Sequence, residues 1–222
     1  MSNNIITWDD PKDRLYEYGV SKGVHYMQDE TGAYTHAEAW NGLTNVTDSP
    51  SGADITKLWA DNIQYGSLRA AEEYAAKIEA FTYPKQFAQC DGSAEVADGV
   101  FVGQQERKYF GMCWRSEIGN ALQNSAGYKL HLAYGLTVNP TEKSHDTVND
   151  NPDTATFSWD ASGTPVPVKG YKPSAKLEID STVVPAEVMK KLEEILYGTE
   201  AKAARLPLPD EVIGLIKGNA GA

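Results

Sequence analysis

The sequence predicts a mainly β protein, a sandwich or barrel with one flanking α-helix and extended arms at both ends. Three observations point there. Residues 127–140, GYKLHLAYGLTVNP, alternate apolar and polar side chains almost without a slip, the period of a strand with one dry face. Short alternating runs recur along the chain between clusters of Gly, Pro, Asn, Asp and Ser, the residues that turns require. Only one segment, 185–197, combines the period, the start and the stop of a helix.

Taken in order, residues 1–34 are polar with scattered anchors such as Trp8, Tyr16, Val20 and Tyr26, and read as an N-terminal arm carrying one or two short strands. Residues 35–198 read as the β-sandwich. Within it, 35–66 suggest two strands around the turn DSPSGAD, with Trp40 on the way in and Trp59 on the way out of a 44–60 hairpin. Segment 67–83 fits both periods; the expectation is a helical turn to about Glu73, then strand to Tyr83. PKQFAQCDG reads as a short helical turn between Pro84 and Gly92. Phe110, Met112 and Trp114 share one strand face, and Tyr109, Gly111, Cys113 and Arg115 the other.

In the long strand, Tyr128, Leu130, Leu132, Tyr134, Leu136 and Val138 fall on one face and Lys129, His131, Ala133, Gly135, Thr137 and Asn139 on the other. At 3.3 Å per residue, eleven such residues span about 36 Å, long for a compact domain. Residues 140–153 are a polar loop. TATFSWDAS sets Ala155, Phe157 and Trp159 on one side, and GTPVPVKGYKP is an edge or a connection. SAKLEIDST alternates Ala175, Leu177 and Ile179 against Lys176, Glu178 and Asp180. The helix 185–197 begins with Pro185 at its first position, carries Val188, Leu192, Ile195 and Leu196 as its stripe, and stops at Gly198. Residues 199–222 form a C-terminal arm, with a stiff LPLP and a short capped segment holding Val212, Ile213 and Ile216, which needs a docking surface.

With 222 residues, 41% apolar and 23% charged, the chain can build a core without staples. A net charge of −11 excludes attraction to phosphates. Cys90 and Cys113 are read as reduced thiols, outside any CxxC pair. The N-terminus lacks a signal pattern and no run is long enough for a membrane helix, so a soluble cytoplasmic product is expected. Phosphate-loop, dinucleotide, nucleophile-elbow and zinc-protease motifs are absent. His25, His36, His131 and His145 are scattered, and Ser144–His145–Asp146 are neighbours in sequence, which a triad's members are not. Asp146, Asn149, Asp150, Asn151 and Asp153 lack the spacing of a calcium loop. The Asp9–Asp10 pair beside Pro11 reads as a turn. No catalytic residue, metal ligand or cofactor is assigned, and an enzyme is not expected. What remains is surplus architecture: arms, a hairpin and sheet edges that ask for partners.

Long stretches have a recognisable texture: ITWDDPKDRLYEYGVSKGVHY, WNGLTNVTDSPSGADITKLWADNIQY, IEAFTYPKQFAQCDGS, GQQERKYFGMCWRSEIGN, GYKLHLAYGLTVNPTEKSHDTVNDNPDTATFSW and ILYGTEAKAARLPLPDEVIGLI. Through nearly its whole length the chain resembles the major tail proteins, or tail-tube proteins, of long-tailed non-contractile bacteriophages of Gram-positive hosts. The extra immunoglobulin-like domain that some of them carry is not expected here. The resemblance implies a tail-tube-type β-sandwich or barrel in a virion tail, made in the host cytoplasm. It implies hexameric rings joined into a β-lined channel, stacked into a tube through which DNA passes unbound. It also implies contacts with tape-measure, tail-terminator and baseplate proteins.

On that expectation Trp8, Tyr16, Trp40, Trp59, Leu208 and Ile213 are candidates for subunit or ring contacts. Glu38, Asp61, Glu79, Lys129 and His131 are candidates for the lumen. An acidic wall would let DNA slide. The alternatives are a carbohydrate-binding β-module that uses exposed Trp and Tyr as platforms and, further off, a secreted β-sandwich enzyme.

Overall fold

The structure, a computed structural model, describes residues 6, 8–145, 147 and 154–219. In chain order the elements are β1 (Tyr16–Gln28), β2 (Tyr34–Ala39), β3 (Leu43–Asp48), β4 (Ser51–Gly52), β5 (Ile55–Ala60), β6 (Ile63–Arg69), β7 (Glu72–Ala80), α1 (Phe87–Cys90), β8 (Ala94–Ala97), β9 (Val100–Val102), β10 (Phe110–Gly119), β11 (Gly127–Val138), β12 (Phe157–Gly163), β13 (Lys176–Asp180), α2 (Ala186–Tyr197) and α3 (Pro209–Asn219). The fold is mainly β, with a large antiparallel sheet in the order β2-β1-β10-β11-β12-β7-β3. The β5–β6 and β8–β9 hairpins stand apart from it.

β11 is the axis of the molecule. One side pairs with β10. The other side is shared: Lys129–Ala133 pair with β13 and Leu136–Val138 with β12. The division falls at Gly135, whose φ is +57° and where an added Cβ would meet Thr164 O at 2.5 Å. The bulge there flips the chain's faces. Leu130, Leu132 and Tyr134 pack in one core, with Cys113, Ile179 and helix α2. Leu136 and Val138 pack in a second core with Trp40, Phe87, Met112 and Trp159. The expectation that Leu136 and Val138 share a face with Leu130 is therefore corrected: strict alternation holds only up to the bulge.

The first core lies between the sheet and the helices. Val188, Met189, Leu192 and Leu196 of α2 are buried against it. Tyr26 Oη donates to Leu196 O at 2.7 Å and ties the helix end to β1. Pro185 sits at the N-cap, one residue before the first helical turn, and Ile195 is only half-buried. The second core is wrapped by β7, β10, β11, β12 and α1, so the sheet curls around it.

Other boundaries also move. The strand β1 takes thirteen residues from the segment read as an N-terminal arm, and Val24, His25 and Tyr26 belong to the interior. The arm is confined to residues before Tyr16. Bulges after Tyr18 and Ser21 break the alternation of β1 and hid it. Residues 67–83 contain no helical turn: Ser67–Arg69 finish β6 and Glu72–Ala80 form β7 between β12 and β3. Cross-strand pairing on both sides overrides the helix propensity of EEYAAKIEA. The protruding hairpin is 55–69, turning at Asp61–Asn62, not 44–60 around DSPSGAD. Part of the C-terminal arm is docked: Leu206 and Val212 are buried, and α3 packs on α2 as a second helix. The loop residues Asp146, Asn149, Asp150, Asn151 and Asp153 lie outside the described residues.

Candidate subunit interface

At one end of the sheet only four strands run side by side: the first half of β1, then β10, β11 and β13. β2 pairs with β1 only from Val24 onward. Among the described residues, no strand covers the outer edge of residues 16–22, and none covers the outer edge of β13. In an antiparallel pair, directly bonded residues alternate with unbonded ones. Tyr134 N donates to Ala175 O, and Ser181 N donates to Tyr128 O. Counting in twos, Leu177 and Ile179 also aim their backbone groups at β11. The backbone groups of Lys176, Glu178 and Asp180 therefore face outward. The Ser174 hydroxyl bonds both the N–H and the C=O of Lys176, and the Asp180 carbonyl accepts from Val183 and Val184 N, so the open part of this edge is Glu178 and the Asp180 N–H.

The two faces of this four-stranded region differ. One carries Tyr128, Leu130, Leu132, Leu177 and Ile179 and is covered by α2. The other carries Glu17, Ser116, Lys129, His131, Lys176, Glu178 and Asp180, by the register of the four strands. Their side chains form a chain across it. Lys129 Nζ lies 2.9 Å from Glu17 and 2.7 Å from Glu178, and so bridges β1 and β13. Ser116 Oγ donates to Glu17 at 2.6 Å and stands 2.8 Å from His131 Nε2. His131 is buried, stacked on Trp114 with ring centroids 5.1 Å apart, and its Nδ1 lies 3.5 Å from Glu178. Lys176 pairs with Asp48 and sits over the Trp114 ring.

Charge states follow from these contacts. Hydrogen bonds to Glu178 and Glu17 raise the Lys129 pKa above the usual lysine range. Burial pushes the Glu17 carboxyl up, but the Ser116 hydroxyl and Lys129 outweigh it and hold it below the usual range. Burial first, and then Lys176, depress the His131 imidazole despite the opposing carboxylates of Glu178, Glu17 and Asp48. The face is thus a set of compensated ion pairs around a neutral histidine, with nothing to grip a polyanion.

The second unsatisfied feature is the β5–β6 hairpin. Among the described residues its strands pair only with each other, and an isolated two-stranded hairpin is marginal in water. Leu58, Ile63 and Leu68 are exposed on one face, and Ile55, Trp59 and Tyr65 on the other. Asp61 and Asn62 turn it, both with positive φ, which Asp and Asn tolerate better than most residues.

The structure disperses the contact candidates. Trp8 and Trp59 are exposed, Tyr16 and Leu208 half-exposed and Ile213 half-buried. Trp40 is corrected: it is 3% exposed, packed against Phe87 and Trp159, with Nε1 donating to Thr82 O at 3.0 Å. A fully packed indole presents nothing to a neighbour.

Of the lumen candidates, Lys129 and His131 come together on the polar face. Glu38 instead accepts from the backbone of Lys85 and Gln86, Glu79 pairs with Lys77 on β7, and Asp61 is at the hairpin tip. Glu17, Ser116 and Glu178 complete the face, and sequence reasoning did not single them out. The alternation of SAKLEIDST did place Glu178 opposite Leu177. Glu17 was hidden by the bulges of β1.

Among the described residues no three His, Cys, Asp or Glu side chains converge as metal ligands, and no helix is long and apolar enough to cross a membrane. No protein-family model and no curated protein matches the chain. Among solved structures it is similar to a chain in the cryo-EM structure of an extracellular contractile injection system, the PVC sheath-tube complex in the extended state. The identity is 10% and the TM-score 0.35, over 72% of this chain and 88% of that chain. A likeness of that size carries no argument about function.

Proposed function

We propose that this chain is a structural tube protein: copies join edge to edge into a ring, and rings stack into a tail tube through which DNA passes. The observation that carries the reading is the pair of open edges, on β1 and β13, at opposite sides of one four-stranded region. Because the region has an even number of alternating strands, β13 of one copy meets β1 of the next in antiparallel register. Head-to-tail contacts of this kind give a ring where the rotation from copy to copy closes. The polar face then lines the bore and the α2 face looks outward, where Tyr16 and Tyr18 of one copy lie beside Leu177 and Ile179 of its neighbour.

Six copies, the number the tail-tube resemblance implies, would bring 24 strands. At about 4.8 Å per strand the circumference is about 115 Å and the diameter between backbones about 37 Å; strand tilt widens it. The β5–β6 hairpin, apolar on both faces, suits insertion between subunits of the adjoining ring. In this reading tape-measure, terminator and baseplate proteins contact the bore and the two tube ends, and the protein belongs to the virion tail of a non-contractile phage.

The test is Glu178→Pro. Proline removes an outward-facing N–H and leaves the β11 ladder intact. Sedimentation and electron microscopy should show folded monomers for the variant and rings or tubes for the parent. Rings from the variant would refute the edge-pairing reading. A carbohydrate-binding module is disfavoured because Trp40, Trp114 and Trp159 are core residues, which leaves Trp8 and Trp59 as exposed tryptophans on separate segments.

A further inference from the structure

Most backbone groups along the two open edges are already engaged within the chain, and the ones left over are complementary. On β13, Ser174 is bridged to Val166 and its hydroxyl caps Lys176, while the Asp180 carbonyl is held by the turn that follows. Among the described residues, the outward groups left on β13 are the N–H and C=O of Glu178 and the N–H of Asp180. On the other edge, Gln28 N donates to Tyr109 O, and Ala126 N donates to Ile118 O. Odd-numbered residues of β10 thus face β1 and even-numbered ones face β11, because the bulges lie on β1 and β11 and not on β10. Tyr16 and Tyr18 therefore bond Gly119 and Glu117, and Glu17 faces out. By the same alternation Leu15 faces out, but its N–H is engaged with Asp13 O at 2.9 Å. Past Tyr18 the ladder is broken by a bulge at Gly19, whose φ is +72°. Before that bulge the edge offers the Leu15 C=O and both groups of Glu17.

We infer that β1 of one copy joins β13 of a second copy in a single register, with Glu17 opposite Glu178 and Leu15 opposite Asp180; this rests on the ring reading. In that register Glu17 and Glu178 exchange two hydrogen bonds, and Asp180 N–H donates to Leu15 O. The engaged Leu15 N–H falls opposite the engaged Asp180 carbonyl, and the capped Lys176 falls opposite the Gly19 bulge. A slip of two residues either way loses this match. With Glu17 opposite Lys176, its groups meet a capped residue; with Glu17 opposite Asp180, its N–H meets an engaged carbonyl. A slip of one residue would turn every side chain of one strand to the wrong face. On the α2 side the register sets Tyr16 against Ile179 and Tyr18 against Leu177, as unbonded pairs with Cα atoms about 4.5 Å apart. Both tyrosines are half-exposed in the single chain, and aromatic–aliphatic pairs of this kind stabilise a sheet. On the polar side Glu17 and Glu178 are like charges on adjacent strands, a cost that the Lys129 of each copy offsets.

The experiment is oxidative cross-linking of assembled double-cysteine variants, read as covalent oligomers on denaturing gels. The parent is the control, since its Cys90 and Cys113 are buried. Within one chain β1 and β13 are three strand spacings apart, about 14 Å, so a disulfide between them joins copies. Tyr18→Cys with Leu177→Cys should give a ladder of linked copies, because a Cα separation of about 4.5 Å suits a disulfide. Tyr16→Cys with Leu177→Cys, and Tyr18→Cys with Ile179→Cys, are the pairs that the two slips would bring together. They should link at least tenfold less, as diagonal neighbours about 7–8 Å apart. Hydrogen exchange on the unsubstituted chain reads the same register without cysteines: the amides of Glu17, Glu178 and Asp180 should all gain protection on assembly. Rings in which a slipped pair links best, or in which the Glu17 amide stays open, overturn the register and leave the ring reading standing. A parent chain that forms no rings overturns both.

Discussion

At the scale of single residues, burial decides behaviour. His25 lies among aromatic rings, and burial lowers its pKa to about 3. The unfolded chain takes up a proton there near pH 6.5, the folded chain only near pH 3. The neutral ring therefore gives its full contribution above pH 6.5 and loses it as pH falls toward 3, at up to about 1.4 kcal/mol per unit. His25→Phe should flatten that limb in urea melts run between neutral pH and pH 4; an unchanged slope would assign the limb to other groups. Trp40, in the second core, and Trp59, on the hairpin, make a second contrast. Trp40→Ala should cost about 3–5 kcal/mol of subunit stability, because it empties the second core. Trp59→Ala should leave the melting of the monomer within about 0.5 kcal/mol and reduce tube yield. Equal melting losses for both would contradict the placement of Trp59 outside the subunit's core.

At the scale of elements, β5 and β6 contribute little to the subunit beyond their own pairing. Asp54 and Ala70 are already joined by a 2.9 Å backbone hydrogen bond. Replacing 55–69 by Gly-Gly should keep the fold and stop assembly at single rings, as read by electron microscopy. Normal tube length from that variant would remove the hairpin from ring stacking. The same elements mark what was legible in the sequence. β10 and α2 declare themselves because their periods run uninterrupted, and β11 does so as far as its bulge. The β5–β6 turn does not, since it uses Asp-Asn with no glycine, while DSPSGAD nearby carries the stronger local signal. β7 is rich in Ala and Glu, and only its two neighbours make it a strand. β1 is broken by bulges, and the sign of Gly135 as a face-switching residue lies in its contact with Thr164, a partner the local sequence does not reveal. The polar face was half legible: Lys129 and His131 came from the alternation of one strand, but Glu17 and Glu178 belong to strands whose register with β11 is a tertiary fact.

At the scale of the whole molecule, the chain carries a net charge of −11. On the polar face Glu17, Glu178 and Asp180 stand against Lys129 and Lys176. A bore lined in this way has no surplus of cations to hold phosphates. Assembled protein should therefore leave the anisotropy of labelled duplex DNA unchanged even at low salt; micromolar binding would contradict a conduit role. All of this depends on the sheet being completed by a neighbour. Amide hydrogen exchange across β13 tests that most directly. In the monomer Leu177, Ile179 and Ser181 should be protected and Glu178 and Asp180 should exchange freely; in the assembly all five should be protected. If Glu178 and Asp180 exchange as fast in the assembly as in the monomer, the edges do not join and the chain is not a tube subunit of this kind.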